Sequence, residues 1–486
     1  MALISFMPHI PPMQRIIIDH FGPIKHLDLE IKDLTILIGP NAGGKSLVGK
    51  LVWFFEKLGI QVFSTSSINA VFKVLQDAEL SAQELKSIEK EFSQEVLRSF
   101  EYYFHVANVT PFRIDYHHEK WGLLSIKSSG NRKFDLEIEA THWIKKATDL
   151  FASIPIDEVF GENANLFKEV FKSNEFQKSE IGASMRKFLP LQLEESLQNL
   201  KDNLYFVPAG RMTLSVMGPI LRNRVFGALS ILSSDAKDTQ KVYFDPFINE
   251  YTERRDRYQS QLAKHGIASL EDLKRVFPET EPRLFDLFLE NVKKILKVSD
   301  VAFNSEQETF LVTDKGTKVP LSIGSSGQQE AIGILISLME SIQASVSLQV
   351  FVEEPEAHLY PSAQQHMANA LSLAFNATKR NKMLINTHSP YVLTAFNNLL
   401  FAHKVGQHFE LAEQVAEQIP REYWLDPSRV AAYHLGESEG GQELIPLMTE
   451  QGVINAEEID DASDAIGDEF DALMNMYRKS TARGNA

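Results

Sequence analysis

The sequence predicts an α/β fold: a mixed, largely parallel central sheet, a small antiparallel β subdomain and a helical insertion. Three observations lead there. Short β-favouring runs at Thr35–Ile38, Leu348–Val352 and Met383–Asn386 are almost wholly apolar, as strands buried on both faces of a parallel sheet must be. Alternating runs at Leu27–Ile31 and three between Phe112 and Glu139 read as strands with one wet face. Helical patterns from Trp143 to Leu200 and over 212–296 separate the first apolar run from the other two.

In chain order, Arg15–Asp19 reads as a strand and Phe21-Gly22-Pro23 as a turn, with Phe21 assigned to core packing rather than to an adenine contact. Glu84–Glu101 is an amphipathic helix with Leu85, Ile88, Phe92, Val96 and Phe100 on one side. Leu204–Val207 is a strand ending at Pro208-Ala209-Gly210-Arg211. Two basic clusters follow, Arg222 with Arg224 and Arg254-Arg255-Asp256-Arg257. Acidic neighbours Glu250 and Glu253 interleave with the second, which reads as a salt-bridged surface helix; the sharper alternative is a partner contact on a short arm. Val301–Leu321 holds three short strands with a turn at Asp314-Lys315-Gly316. The chain closes on a helical pattern with Ile459, Ala462, Ile466, Phe470 and Leu473 opposite Asp460, Asp461, Asp464, Asp468 and Asp471.

Length and composition set bounds. With 486 residues the chain has room for two or three domains. A formal net charge of -16 argues against a protein that coats nucleic acid along its length and leaves room for a local basic groove. Zero cysteines exclude disulfides, thiolate metal sites and thiol nucleophiles. No apolar run reaches the ~20 residues of a membrane span, and Met1–Pro12 lacks the basic residues of a signal peptide. A cytoplasmic location without a membrane partner is expected.

The chemistry concentrates at strand ends. Strand Thr35–Ile38 runs into Gly39-Pro40-Asn41-Ala42-Gly43-Gly44-Lys45-Ser46, a phosphate-binding loop with every position filled. Backbone N–H groups of Asn41, Ala42, Gly43 and Gly44 can point at a β-phosphate. Lys45 supplies a cation for the β/γ oxygens and Ser46 a hydroxyl for Mg²⁺. The helix after it aims its positive end at the same anion.

Strand Val350-Phe351-Val352 delivers Glu353 and Glu354 at its C-terminal end, in the run Glu353-Glu354-Pro355-Glu356. Glu353 is placed to hold Mg²⁺ and Glu354 to activate the attacking water. Strand Leu384–Asn386 ends in Thr387-His388-Ser389-Pro390, where a neutral His388 can contact a γ-phosphate or that water. The small, hydroxyl-rich turn Ser322–Gln329 opens an apolar helix, and Ser325 with Gly327 and Gln328 makes a second anion site.

These four motifs in this order resemble the ABC-type ATPases of the OLD, RecF and SMC-like group, over residues 14 to about 400 and more loosely between 60 and 300. The resemblance implies a P-loop ABC-type ATPase head using ATP and Mg²⁺. It also implies that Ser325, Gly327 and Gln328 serve the nucleotide of another subunit, so that a homodimer is the smallest working unit. One feature of the group, a lobe glutamine that touches Mg²⁺ and the water, has no placeable counterpart, and the role of Arg211 is open.

The domain reading is 1–140 for an N-terminal lobe, 141–300 for the helical insertion, 301–405 for the C-terminal lobe and 406–486 for an extension. Gly436-Glu437-Ser438-Glu439 superficially resembles the start of a TOPRIM nuclease domain, but no apolar strand ending in Asp-x-Asp follows it, so no nuclease activity is expected. The design is similar to the stand-alone ATPase subunits of prokaryotic anti-phage systems, first the PARIS ATPase and second the Septu ATPase. That likeness implies an oligomeric sensor that controls a separate nuclease or toxin effector and answers a phage protein. The alternative it leaves is a RecF-like, ATP-dependent DNA-binding protein of repair. A transporter-coupling ATPase is a weaker rival.

Overall fold

The computed structural model describes residues 14–61, 82–104, 110–118, 122–130, 134–138, 204–211, 245–276, 282–304, 308–343, 348–438, 441–455 and 473–474. Strands β1 (Gln14–Phe21), β2 (Ile24–Ile31) and β3 (Leu34–Ile38) precede helices α1 (Lys45–Gln61) and α2 (Ala82–Phe104). Then come β4 (Phe112–His118), β5 (Gly122–Ser128), β6 (Phe134–Ile138) and β7 (Leu204–Val207), followed by α3 (Pro246–Lys264), α4 (Leu270–Val276) and α5 (Pro282–Leu296). Strands β8 (Asp300–Phe303), β9 (Thr309–Val312) and β10 (Lys318–Pro320) lead to α6 (Ser326–Gln343). The order closes with β11 (Gln349–Glu353), α7 (Pro361–Asn376), β12 (Lys382–Thr387), α8 (Pro390–Gly406), α9 (Ala412–Gln418), β13 (Val430–Ser438) and β14 (Gly441–Pro446).

The central sheet runs β14-β13-β3-β12-β11-β7, parallel except for β14. Its registers bring Ile36 level with Ile385 and Ala432, and Phe351 level with Leu384 and Phe206. Successive side chains go to opposite faces. Leu34, Ile36, Ile38, Val350, Val352 and Ile385 enter the core under α5 to α8, while Leu37, Phe351 and Leu384 enter the core under α1, α2 and the antiparallel sheet. Both faces are therefore covered, and each fully buried Ile or Val contributes about 1.5–3 kcal/mol. That is why these strands read as continuous apolar runs. The antiparallel sheet is ordered β2-β1-β4-β5-β6, and a three-stranded meander β10-β9-β8 precedes α6. No helix among the described residues is long and apolar enough to cross a membrane.

Two stretches depart from the sequence reading. Residues 430–446 showed no strand signal, yet β13 pairs in parallel with β3 and β14 closes a hairpin on it. Gly436 and its neighbours thus lie on the same sheet as the phosphate loop. The solvated face expected at Arg254-Arg255 is also overturned: the two are only 7% and 6% exposed. The Arg254 guanidinium lies 3.2 Å from the Tyr205 ring centroid, bonds Leu204 O and reaches Glu340 at 2.8 Å. Stacking on an aromatic face and a half-buried carboxylate take the place of water. Phe21 is buried against Phe100, Phe104 and Phe112, as core packing requires. The cluster Arg222/Arg224, the helical pattern from Trp143 to Leu200 and most of the acidic tail lie outside the described residues.

Candidate nucleotide site

The phosphate loop is wedged between two backbones. Gly39 has φ +151°, and a Cβ there would fall 2.2 Å from Leu435 O of β13. Gly44 has φ +97°, and its Cβ would meet Ile24, the first residue of β2 beside the β1–β2 turn, at 2.9 Å. Only glycine fits both places. Gln442 of β14 fixes that turn by accepting from Lys25 N at 2.9 Å and donating to Pro23 O at 2.7 Å. Ala42 also has positive φ, +61°, a conformation costing an L-residue roughly 1–2 kcal/mol. Asn41, Ala42 and Ser46 are exposed, whereas Gly43, Gly44 and Lys45 are buried.

Helix α1 starts at Lys45 with no acidic residue in its first turn, so its positive end is left for an anion. The Lys45 ammonium donates to Gly39 O at 2.9 Å and Pro40 O at 2.6 Å. Burial pulls its pKa down to about 8, against the opposing pull of Glu354 and Glu356. Phosphate oxygens need the ammonium form. ATP affinity is therefore expected to stay level from pH 7 to about 8 and to fall about tenfold per unit above it, as binding takes up a proton. Calorimetric titration across pH 7–9.5 checks this; a flat profile to pH 9.5 contradicts it.

Strand β11 ends with Glu353, only 5% exposed. Its Oε2 accepts from Ala209 N at 3.0 Å, and its Oε1 is buried without a hydrogen bond. Burial raises its pKa, with the Ala209 N–H, the Ser46 hydroxyl and Lys50 acting the other way. A carboxylate oxygen in that position, next to the exposed Ser46 hydroxyl, suits a divalent cation whose other ligands come from phosphates and water. Among the described residues no group of three or more His, Asp or Glu is set to hold a metal. The group contacting Glu353 from the neighbouring strand end is thus the Ala209 backbone N–H.

Glu354 turns the chain back with φ +45°, an unusual conformation for a glutamate. Its N–H donates to Asn386 O at 2.8 Å, and its carbonyl accepts from Ala357 N at 3.1 Å and Arg211 Nη2 at 3.0 Å. From β12, His388 places Nε2 3.8 Å from Glu354 Oε1 and Nδ1 3.5 Å from Lys45 Nζ. Asn386 Nδ2 donates to Lys45 O at 3.1 Å, tying β12 to the first turn of α1. The residues Lys45, Ser46, Glu353, Glu354 and His388, chosen from separate motifs, are therefore gathered at the C-terminal ends of β3, β11 and β12, where an α/β sheet places its chemistry.

The serine turn stands apart from this group. Ser325 and Gln328 form a reciprocal cap, Gln328 N to Ser325 Oγ at 3.3 Å and Ser325 N to Gln328 Oε1 at 2.9 Å. Gln328 Nε2 donates to Leu296 O at 2.6 Å. Gly327 packs so closely on the turn after Glu354 that a Cβ would sit 2.5 Å from His358 O. Ser325 and Ser326 face solvent, and no hydrogen bond among the described residues joins this turn to the phosphate loop.

Two residues of the site had no assigned role in the sequence. Glu356 accepts from His388 N at 2.6 Å and Thr387 Oγ1 at 2.8 Å, which fixes where the imidazole stands. A third acid in Glu353-Glu354-Pro355-Glu356 was its only signal. Arg211 is fully buried and grips four backbone carbonyls.

Residues 13–393 match the AAA ATPase domain family. No curated protein matches the chain. Among solved structures, an SMC head bound to the C-winged helix domain of ScpA is 10% identical with a TM-score of 0.38, covering 90% of this chain and 98% of that one. The SMC head domain from Thermotoga maritima is 10% identical with a TM-score of 0.33, covering 90% of this chain and 100% of its own. Because the family match spans residues 13–393 of the 486, well over half of the chain, the chain belongs to the AAA ATPase domain family and is, by that membership, a nucleotide-binding ATPase.

Proposed function

We propose that the chain hydrolyses ATP, with Mg²⁺, at a site completed by a second copy of itself. The observation that carries this reading is the row Lys45–His388–Glu354, with spacings of 3.5 Å and 3.8 Å. It sets a phosphate cation, an imidazole and a carboxylate along one edge. Glu354 takes the proton from a water whose oxygen attacks the γ-phosphorus, and the bond to the β–γ bridging oxygen breaks as ADP leaves. His388 holds the water or a γ-oxygen by hydrogen bond. Ser46 and Glu353 would hold Mg²⁺, which would supply charge neutralisation for the phosphate oxygens.

The exposed Ser325 turn supports a shared site. Ser325 and Ser326 are exposed at the start of α6, and Ile323, two residues before the turn, is 73% exposed. Two copies related by a two-fold axis present loop to turn twice. Light scattering with and without Mg-ATP tests this: mass is expected to double with nucleotide, and a particle that remains a single chain at saturating ATP overturns a stable pair.

We also propose that turnover serves a sensing assembly that controls a separate nuclease or toxin effector. The likeness of the sequence to stand-alone anti-phage ATPase subunits, a full ATPase motif set with no effector motif recognised beside it, motivates this wider reading. Purification from the source cells tests it, since an effector is expected to co-purify and a bare ATPase counts against it.

A further inference from the structure

We propose that Arg211 couples the serine turn to the water-activating carboxylate, so that engagement of helix α6 sets the position of Glu354 in the same chain. The inference rests on Glu354 being the general base.

Arg211 has no exposed surface. Its Nε donates to Glu330 O at 2.9 Å, one turn into α6, the helix that the serine turn opens. Nη1 donates to Pro208 O at 2.8 Å and Glu353 O at 2.9 Å. Nη2 donates to Glu354 O at 3.0 Å. One planar group thus ties the root of the serine turn to the two peptide units that aim Glu353 and Glu354. A rigid five-donor fork can hold these four carbonyls at once at fixed angles, whereas the three donors of a lysine ammonium are too few.

The tie matters because Glu354 sits at φ +45° and needs its surroundings to keep it there. On one side Asn386 O holds the Glu354 N–H. On the other side Arg211 holds its carbonyl. The Glu330 carboxylate, 3.5 Å from Arg211 Nε, steadies the fork from the helix. A shift of α6 when an anion docks at Ser325 therefore moves Arg211 and, through it, the Glu354 carbonyl. Arg211 touches no reacting atom and is a positioning residue.

The test is Arg211→Lys, read as phosphate release and as nucleotide affinity, alone and combined with Ser325→Ala. The expected result is at least a tenfold loss of kcat with ATP affinity within threefold of the parent. Ser325→Ala should slow the parent but have little further effect in the Arg211→Lys background, since coupled residues are not additive. A purely packing role would lower folded fraction and leave the two substitutions additive. A kcat within threefold, or full additivity, overturns the inference. If Arg211→Lys does not fold, Glu330→Gln decides. It keeps the carbonyl bond but removes the steadying charge, and should slow turnover at least threefold with unchanged affinity; unchanged turnover overturns the inference. Glu354→Gln separates the two claims. If it turns over normally, the assignment of the base fails. If it is slow while Arg211→Lys is normal, only the coupling fails.

Discussion

Replacing Glu354 with glutamine is expected to leave ATP bound and slow its hydrolysis by about 10²–10⁴-fold, the range for loss of a general base. The substitution keeps shape and hydrogen-bonding capacity. The backbone bonds that hold position 354, from its N–H to Asn386 O and to its carbonyl from Ala357 and Arg211, do not involve the side chain. What disappears is the acceptor for the water's proton. One negative charge also leaves the neighbourhood of Lys45, whose pKa Glu354 helps to hold up. At a pH well below 8, where Lys45 keeps its proton without Glu354, affinity for the triphosphate should hold or improve because a charge that repels phosphate is gone, and the ATP-bound pair should accumulate. Phosphate release, filter binding and light scattering on one preparation give the three readings. Turnover within a few-fold of the parent would mean that another group takes the proton.

The parts of this site that were legible in the sequence are those whose constraints are local. Ile36–Ile38 and Val350–Val352 are buried on both faces, so a short apolar run carried their fold. Gly39 and Gly44 are required by close approaches of β13 and of Ile24 beside the β1–β2 turn, and the loop motif encodes them. The illegible parts depend on distant partners. Strand β13 contains Ala431 and Ala432, weak strand formers that owe their conformation to pairing with β3 almost 400 residues earlier in the chain. Arg254 looked solvated because a charge pattern cannot show the Tyr205 ring beneath it. Arg211 binds backbone carbonyls of residues separated from it by up to 143 positions. Any residue type offers a carbonyl, so no pattern in the sequence marks its partners.

Lys45→Ala is expected to weaken ATP binding by about two to three orders of magnitude, because charge-assisted bonds to phosphate oxygens are lost from a loop that offers no other cation in their place. That alone does not tell whether the site lies within one chain or between two. Mixing does. Ser325→Arg leaves the phosphate loop intact and blocks the serine turn with bulk and a misplaced charge at an exposed position, so folding should be spared. Each variant alone should be nearly inactive. In an equal mixture that exchanges freely, half of the pairs are mixed, and each mixed pair joins one intact loop to one intact turn. Activity should recover to about a quarter of the parent value for the same total protein. Were loop and turn of the same chain to serve one nucleotide, every site in the mixture would carry a defect and nothing would be regained. The mixture therefore reads the geometry of the shared site through turnover alone, independent of whether the pair is stable enough to be weighed.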